Sequence, residues 1–496
     1  MARKKARKQR RSNQAPRRRR RVPFSNADQF RELRRWLLPN DGIFASLRFH
    51  GNTSWLPAML VWLALCWSWS ESRNVTDAFA QAVEWCGLMD GNAALTTYQG
   101  MMGALVQWTD RFLSLLWPLL HQRMQEVGGR FWTVSGWVPV AFDGSRSAAP
   151  RTKSNEQAFC APNYGHGKTA KYRKKKSKGL RRKRNEKNKP QPQEPQAWIT
   201  MLWHMSLRIP WMWKLGPSNS SERAHVMDML SRGLFPLSTL FCGDAGFVGY
   251  PLWAQIAGQG MYFLVRVGAN VNLLTERDDC IIKRGRKGRV LCWPLAAQKA
   301  KLPPLRLRLV RVRIGRQWMW MLTNVTQPSR LTTQMIVAFY KMRWGIEVEF
   351  RGLKQTLDRN KLCCRNAQRL LAELNWSIMA MAVAELFALK EQSGPGASRS
   401  AAKNRRPAPE KRSLANTMRA IRHCLTHLND VEKPGNDLRS RLQRAVTDSY
   451  TRKSSKRARY RRPNPDKKPL GAPEIRRLNP QEQKKLEAIK SKNSAA

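Results

Sequence analysis

The sequence predicts a mixed α/β sheet flanked by helices, preceded by a helical domain. Three observations lead there. Residues 27–130 read as helix with few strand signals. From 131 to 268, three strand-like runs give way to alternating helix and strand. Residues 269–330 then turn to β, and two long helical segments follow in 331–392.

Residues 1–26 make a basic arm, since 1–22 hold twelve Lys/Arg and no acid. Such a composition stays disordered and adds sequence-independent phosphate affinity. In 27–130, DQFRELRRWLL, WLPAMLVWLALCWSW (55–69), DAFAQAVEWCGL and TTYQGMMGALVQWTDRFLSLLWPLLHQRM read as helices. The 55–69 stretch falls short of the roughly 20 residues a membrane span needs, so it reads as buried. A helical domain beside a basic arm is a candidate for binding DNA ends, although no helix-turn-helix marks a recognition helix.

FWTVSGWVPVAFDGS (131–145) reads as a strand ending in an Asp-Gly turn at Asp143. Residues 168–189 carry thirteen Lys/Arg and one Glu, so 165–193 reads as a basic loop between strands. AWITMLWHMS and IPWMWKLG form the next strand pair. Asn219 and Glu222 fit an N-cap and its N3 partner, opening a helix. LSTLFCGDAGF (237–247) is a strand ending at Asp244, PLWAQIAGQG a helix and GMYFLVRV a strand. In LRLRLVRVRI (305–314) the alternation slips between Leu309 and Val310, as at a bulge, and Gly315 turns the chain into WMWMLTNV. Helices are expected over 333–358 and 366–391. Residues 393–496 form a basic C-terminal region, helical within 409–448 and then disordered.

The net charge is +57, from 91 Lys+Arg against 34 Asp+Glu. A compact domain with that charge repels itself unless a polyanion compensates, which makes double-stranded DNA the expected partner. An anionic membrane fits less well, because no amphipathic basic helix or lipidation motif stands out. Nine cysteines without a C-x-x-C pair argue for reduced thiols in the cytoplasm and against a disulfide framework or zinc ribbon. His423, Cys424 and His427 lie close together but lack two further metal ligands. No apolar signal segment opens the chain.

The acids are few, so their placement matters. On a wheel of about 100° per residue with Tyr340 at zero, Ile346, Phe350, Leu353 and Leu357 form one stripe near 220–280°. Arg343, Glu347 and Lys354 fall at about 300–340°, along its edge, and Glu349 at about 180°, on the other side. Glu347 is therefore the glutamate that borders a cleft. Plainer accounts exist for each acid. Arg343 and Glu347 make an i,i+4 pair worth a few tenths of a kcal/mol, Asp143 suits a hairpin turn, and Asp244 suits a polar strand terminus. Together, three acids on two strands and a helix offer the hard oxygen ligands that two-metal phosphoryl transfer needs.

Asp143 in AFDGS, Asp244 in CGDAGF and the spacing Tyr340-x2-Arg343-x3-Glu347-x6-Lys354 resemble the DDE transposases of the insertion-sequence-4 family, with its Y-R-E-K signature. The resemblance covers roughly 131–392. It implies an RNase H-like catalytic fold whose last acid follows a β-rich insertion. It also implies that Asp143, Asp244 and Glu347 ligate Mg²⁺, with Mn²⁺ able to substitute, and that Tyr340, Arg343 and Lys354 contact phosphates near the cleaved end. A synaptic homodimer and a nucleoid-associated location follow from the same resemblance. Ala245 departs from it, standing where arginine is common, which removes one DNA contact and leaves the metal ligand.

Other features carry less. GHGKT (165–169) is not a phosphate loop, because the first Gly of that motif would fall at Pro162. Trp318 and Trp320 share one strand face. Core packing is their simpler reading, and stacking on a base displaced from the DNA end is the other. Arg266, at a strand end, is a further candidate DNA contact, while Arg306, Arg308, Arg311 and Arg313 suit a phosphate backbone or a solvated strand face. The function expected is cleavage of the terminal inverted repeats of a mobile element and transfer of the 3′ ends to target DNA. Its rivals are an inactive, domesticated DNA-binding protein and another RNase H-like nuclease or resolvase.

Overall fold

The computed structural model describes residues 25–49, 53, 55–90, 97–160, 194–276, 288–315, 317–393, 408–430, 435–447 and 470–494. The basic arm before residue 25, the 165–193 loop with GHGKT, Cys280 and the basic stretch before 470 lie outside them, wholly or in greater part.

The first helix, α1 (Asn26–Leu37), starts earlier than the charge pattern suggests, because Ser25 and Asp28 form a reciprocal capping box. It is followed by α2 (Pro57–Trp69), α3 (Val75–Asp90) and α4 (Tyr98–Gly128). Pro57 at the first position of α2 needs no intrahelical N–H, and eleven of that helix's thirteen residues are buried. These helices gather around α11 (Ala367–Ser393) near the other end of the chain. By length and composition α11 could cross a membrane, but 94% of its most apolar window is buried inside the protein. It is the central core helix.

Among the described residues, ten strands form one sheet in the order β10-β6-β7-β8-β9-β5-β4-β1-β2-β3. They are β1 (Val138–Ala148), β2 (Gln196–His204), β3 (Ile209–Gly216), β4 (Thr239–Gly243), β5 (Tyr262–Val267), β6 (Asn272–Thr275), β7 (Gly288–Cys292), β8 (Leu305–Ile314), β9 (Gln317–Thr323) and β10 (Glu474–Arg477). β1 runs antiparallel to β2 and parallel to β4, which is parallel to β5. The 269–330 strands do not stand apart: β9 pairs with β5 and carries the sheet onward.

The helices between strands are α5 (Lys153–Phe159), α6 (Glu222–Leu230), α7 (Tyr250–Gly258) and α8 (Leu295–Lys299). After the sheet come α9 (Thr333–Arg343) and α10 (Gly345–Gln355), then α11, α12 (Leu414–Thr426), α13 (Leu438–Gln443) and α14 (Pro480–Ser494).

Several expectations are corrected. β1 does not stop at Asp143 but runs five residues further, so Asp143-Gly144 is no turn. The cap of α6 is Ser221, whose hydroxyl accepts from the Ala224 N–H, rather than Asn219. No bulge interrupts β8 at Leu309. Leu307 to Val310 are all buried because helix α9 covers one face, and Arg308 inside them donates to the Leu331 carbonyl at 2.5 Å. The register shift falls at Leu202/Trp203 instead. Helix 333–358 is two helices, Thr333–Arg343 and Gly345–Gln355, with Trp344 between them. The end of the basic C-terminal region is not all disordered: β10 pairs parallel to β6, and Glu482 of α14 binds Arg476 and Gln298.

Candidate active site

The β1–β4 register brings the two aspartates together. Ala141 pairs with Cys242, so Asp143 and Asp244, each two residues on, leave neighbouring parallel strands at the same level. Small residues make this possible. A β-carbon on Gly243 would lie 2.1 Å from the Phe142 ring, and one on Gly144 would lie 2.1 Å from Glu222 Oε1. The Phe142 ring bars any larger residue at Gly243, whereas one at Gly144 would have to displace the Glu222 carboxylate. Asp244 then caps the turn Ala245–Phe247, its Oδ1 accepting from the Gly246 N–H at 2.7 Å.

Glu347 arrives from the first turn of α10. At the start of that helix a β-carbon on Gly345 would lie 2.2 Å from the Trp203 ring, so glycine lets the indole of β2 approach the backbone there. Across the break, Arg343 donates from Nη1 to Asp143 Oδ2 and from Nη2 to Glu347 Oε1, both at 3.2 Å. Its guanidinium, 4% exposed, lies 5.5 Å over the Tyr340 ring.

Asp143, Glu347 and Lys354 line one cleft of about 690 Å³, together with Phe350 and Arg351. Glu349 does not reach it. It is buried beside Glu385 and Arg412, in agreement with the wheel's separation of the two glutamates.

The electrostatics fit a cation. Burial raises the Asp143 carboxyl to about 6, against the pull of the Gly144 N–H and Arg343, with Asp244 and Glu347 adding to the rise. Glu222, which the sequence reading had left to a helix cap, is likewise raised to about 7 by burial and by Asp143 and Asp244. A site where carboxylates push one another toward protonation is one where a divalent cation would relieve the repulsion. Asp143, Asp244 and Glu347 have the donor chemistry for one, although among the described residues no group of three His, Cys, Asp or Glu side chains is already placed to hold a metal ion.

The other predicted contacts are dispersed. Tyr340 is buried beneath Arg343 and presents no phenol to solvent. Lys354 is half-buried on the cleft, and burial lowers its ammonium pKa. Arg266 is half-buried in β5, opposite Met321. Trp318 is 56% exposed, which overturns core packing for it, while Trp320 is half-buried and packs against the core as the simpler reading expected. Arg311 lies over the two rings, at 4.6 and 5.6 Å, so the strand pair presents a cation–π ladder at its surface. His423 and His427 stack on each other at 4.3 Å, and Arg441 lies 2.8 Å from His423. Glu222 is the residue the sequence reading missed; the Gly after Asp143 was its one signal, misread as a turn.

Comparison with known proteins places this geometry. Residues 140–383 match the family described as the Transposase DDE domain, a span that opens three residues before Asp143 and contains Asp244 and Glu347. Over 161 residues the chain is 27% identical to the Sinorhizobium fredii (strain NBRC 101917 / NGR234) protein named "Putative transposase y4zB". That match covers 29% of this chain and 41% of the relative, so it spans well under half of the relative's length. A solved structure, the piggyBac transposase synaptic complex with hairpin DNA, aligns over 86% of this chain and 85% of its own at 12% identity and a TM-score of 0.37, too loose a likeness to carry an argument.

Proposed function

We propose that this protein is a DNA transposase that binds the terminal inverted repeats of its own element, cleaves the ends and transfers the 3′ ends to target DNA. The observation that carries the reading is the placement of Asp143 and Asp244 on neighbouring strands, with Glu347 tied to Asp143 through one guanidinium, inside a span that matches the transposase DDE domain. The strand order β3-β2-β1-β4-β5, with only β2 reversed against its two neighbours, supports an RNase H-like core. The match to the Y-R-E-K spacing supports the insertion-sequence-4 family.

A divalent cation bound here, Mg²⁺ or Mn²⁺ in this reading, would lower the pKa of an attacking hydroxyl and stabilise the leaving oxygen. The rest falls to side chains. Asp143, Asp244 and Glu347 supply hard oxygen ligands and must be ionised to do so. Arg343 keeps Asp143 and Glu347 at opposite edges of one planar fork, which fixes α10 relative to β1. Tyr340 holds that fork from below, so it acts on Arg343 and not directly on a phosphate. Lys354 and Arg351 offer positive charge to the phosphodiester in the same cleft. The net charge of +57 supplies affinity for DNA of any sequence. A synaptic dimer and a place on the nucleoid in the cytoplasm complete the proposal.

The test uses purified full-length protein, Mg²⁺ and a plasmid carrying the gene with its native flanks. Cuts at the element boundaries by wild type, lost in Glu347→Gln while DNA binding persists, are expected. Binding without cleavage in either Mg²⁺ or Mn²⁺ would instead mark a domesticated DNA-binding protein. Cleavage unrelated to the boundaries would mark a different nuclease.

A further inference from the structure

We propose that Glu222 is a fourth carboxylate of this site and ligates the same divalent cation as Asp143 and Asp244; the proposal rests on the transposase reading. Its side chain leaves the first position of α6 and lies between the two aspartates. Oε1 faces Gly144, next to Asp143, at 2.1 Å from where a β-carbon would stand. Oε2 faces Gly246, 3.9 Å from the corresponding point, and Gly246 is the residue whose N–H holds Asp244. Gly144 has no positive φ, so the backbone does not demand glycine there. The Glu222 carboxylate occupies the space a side chain there would need.

A plainer account makes Glu222 a helix-start acid that favours the positive end of α6. An acid at the first position gains that benefit with its side chain in solvent. It has no reason to turn inward, become partly buried and approach two other carboxylates. No hydrogen bond or ion pair to Glu222 forms among the described residues, and the cation acting on it within the protein is Arg146. The buried Arg343 guanidinium pairs with Asp143 and Glu347 and is also acted on by Asp244, whereas Glu222 forms no such pair. A bound cation makes that arrangement favourable, and Glu222 completes the oxygen set from a side that Glu347 does not reach.

Mn²⁺ binding to the full-length protein without DNA, followed by electron paramagnetic resonance, separates these accounts. Thermal melts of the metal-free protein run beside it. Glu222→Gln is expected to weaken Mn²⁺ binding at least about tenfold. Its metal-free melting temperature should be no lower than wild type, because a repelling charge has gone. Glu222→Asp, one methylene shorter, should bind with intermediate affinity. Asp143→Asn is the reference for the site itself. If Glu222→Gln binds Mn²⁺ as wild type does while Asp143→Asn does not, Glu222 is no ligand and the three-acid site stands without it. If Asp143→Asn also binds normally, the metal-site reading fails and this inference fails with it. Unchanged affinity with a lower metal-free melting temperature would make Glu222 a structural residue and overturn the proposal.

Discussion

On one face of α10, Glu347 is 41% exposed and shares the Arg343 fork with Asp143. Two residues on, Glu349 is 5% exposed against Glu385 and Arg412. The two clusters hold similar groups and handle charge in opposite ways. In the buried one, burial and the neighbouring Glu385 carboxyl raise the Glu349 carboxyl well above its usual range, which favours its neutral form. Arg412, with Nη2 3.9 Å from Glu385, balances the charge that remains, and it also donates to the Leu207 and Arg208 carbonyls at 2.6 Å each. In the open cluster, Asp143 and Glu347 share one buried guanidinium, while Asp244 and Glu222 add further negative charge beside Asp143. A cluster neutralised from within is part of the scaffold. One left with excess negative charge has room for a cation from outside.

Glu347→Gln breaks this comparison hardest. Cleavage at the element ends should fall by about a thousandfold or more, roughly 4 kcal/mol at the barrier. Folding stability should stay within about 0.5 kcal/mol, because the side chain is partly solvated. Parallel cleavage assays and urea melts check both. Loss of fold along with activity would mean that Glu347 is scaffold like its neighbour.

Arg412→Met attacks the other cluster. Removing the guanidinium leaves Glu385 buried without its counter-charge, and the expected cost is about 3–5 kcal/mol. Urea titration measures it. A change under about 1 kcal/mol would show that the buried acids do not depend on Arg412, and the contrast would lose its basis.

How much of this was legible follows from the range of the interactions. The strands ending near Asp244 and the helices around Glu347 were readable because the burial of Phe350 and Leu353 and the apolar run of β4 are local patterns. The separation of Glu347 from Glu349 was readable on a wheel even though the helix breaks at Trp344, since both glutamates lie beyond the break. Gly144 and Gly345 were not readable, because what each accommodates, Glu222 and Trp203, comes from a distant segment. The same holds for the supposed bulge in β8. Its pattern reflects cover by helix α9 and the inward hydrogen bond of Arg308 to the Leu331 carbonyl, which a strand cannot report about itself. Trp318 was misjudged for the converse reason, since an aromatic residue on a hairpin resembles core until the cover is seen to be missing, whereas Trp320 does pack against the core.

The open cluster should also show its charge as pH changes. Asp143 and Glu222 have folded-state values of about 6 and about 7, above their ordinary 3.8 and 4.5. Between roughly pH 4 and 7 the folded metal-free protein therefore binds more protons at these groups than the unfolded chain does, and their contribution to stability declines as pH rises through that window. Divalent cations should reverse the decline. The rise in melting temperature on adding Mn²⁺ should be larger at pH 8 than at pH 5, where protons compete for the ligands. Glu222→Gln should flatten the metal-free curve near pH 7. An Mn²⁺ effect equal at both pH values would place the cation away from these carboxylates.

The smallest expected effect belongs to Glu349→Gln. If Glu349 is already a neutral donor to Glu385, an amide of the same length replaces it with little change in charge or shape. Folding stability at pH 7 should move by less than about 1 kcal/mol, and cleavage should stay within a few-fold of wild type. Glu349→Ala should cost more, because it removes the donor and opens a gap beside Glu385. The informative quantity is the difference between the glutamine variants at positions 347 and 349, measured in one preparation on one DNA. A large loss at 347 with almost none at 349 assigns chemistry to one face of α10 and internal neutralisation to the other. Comparable losses at both would mean that the buried pair is ionised and holds α10 in place through its charge, so that the two faces are coupled.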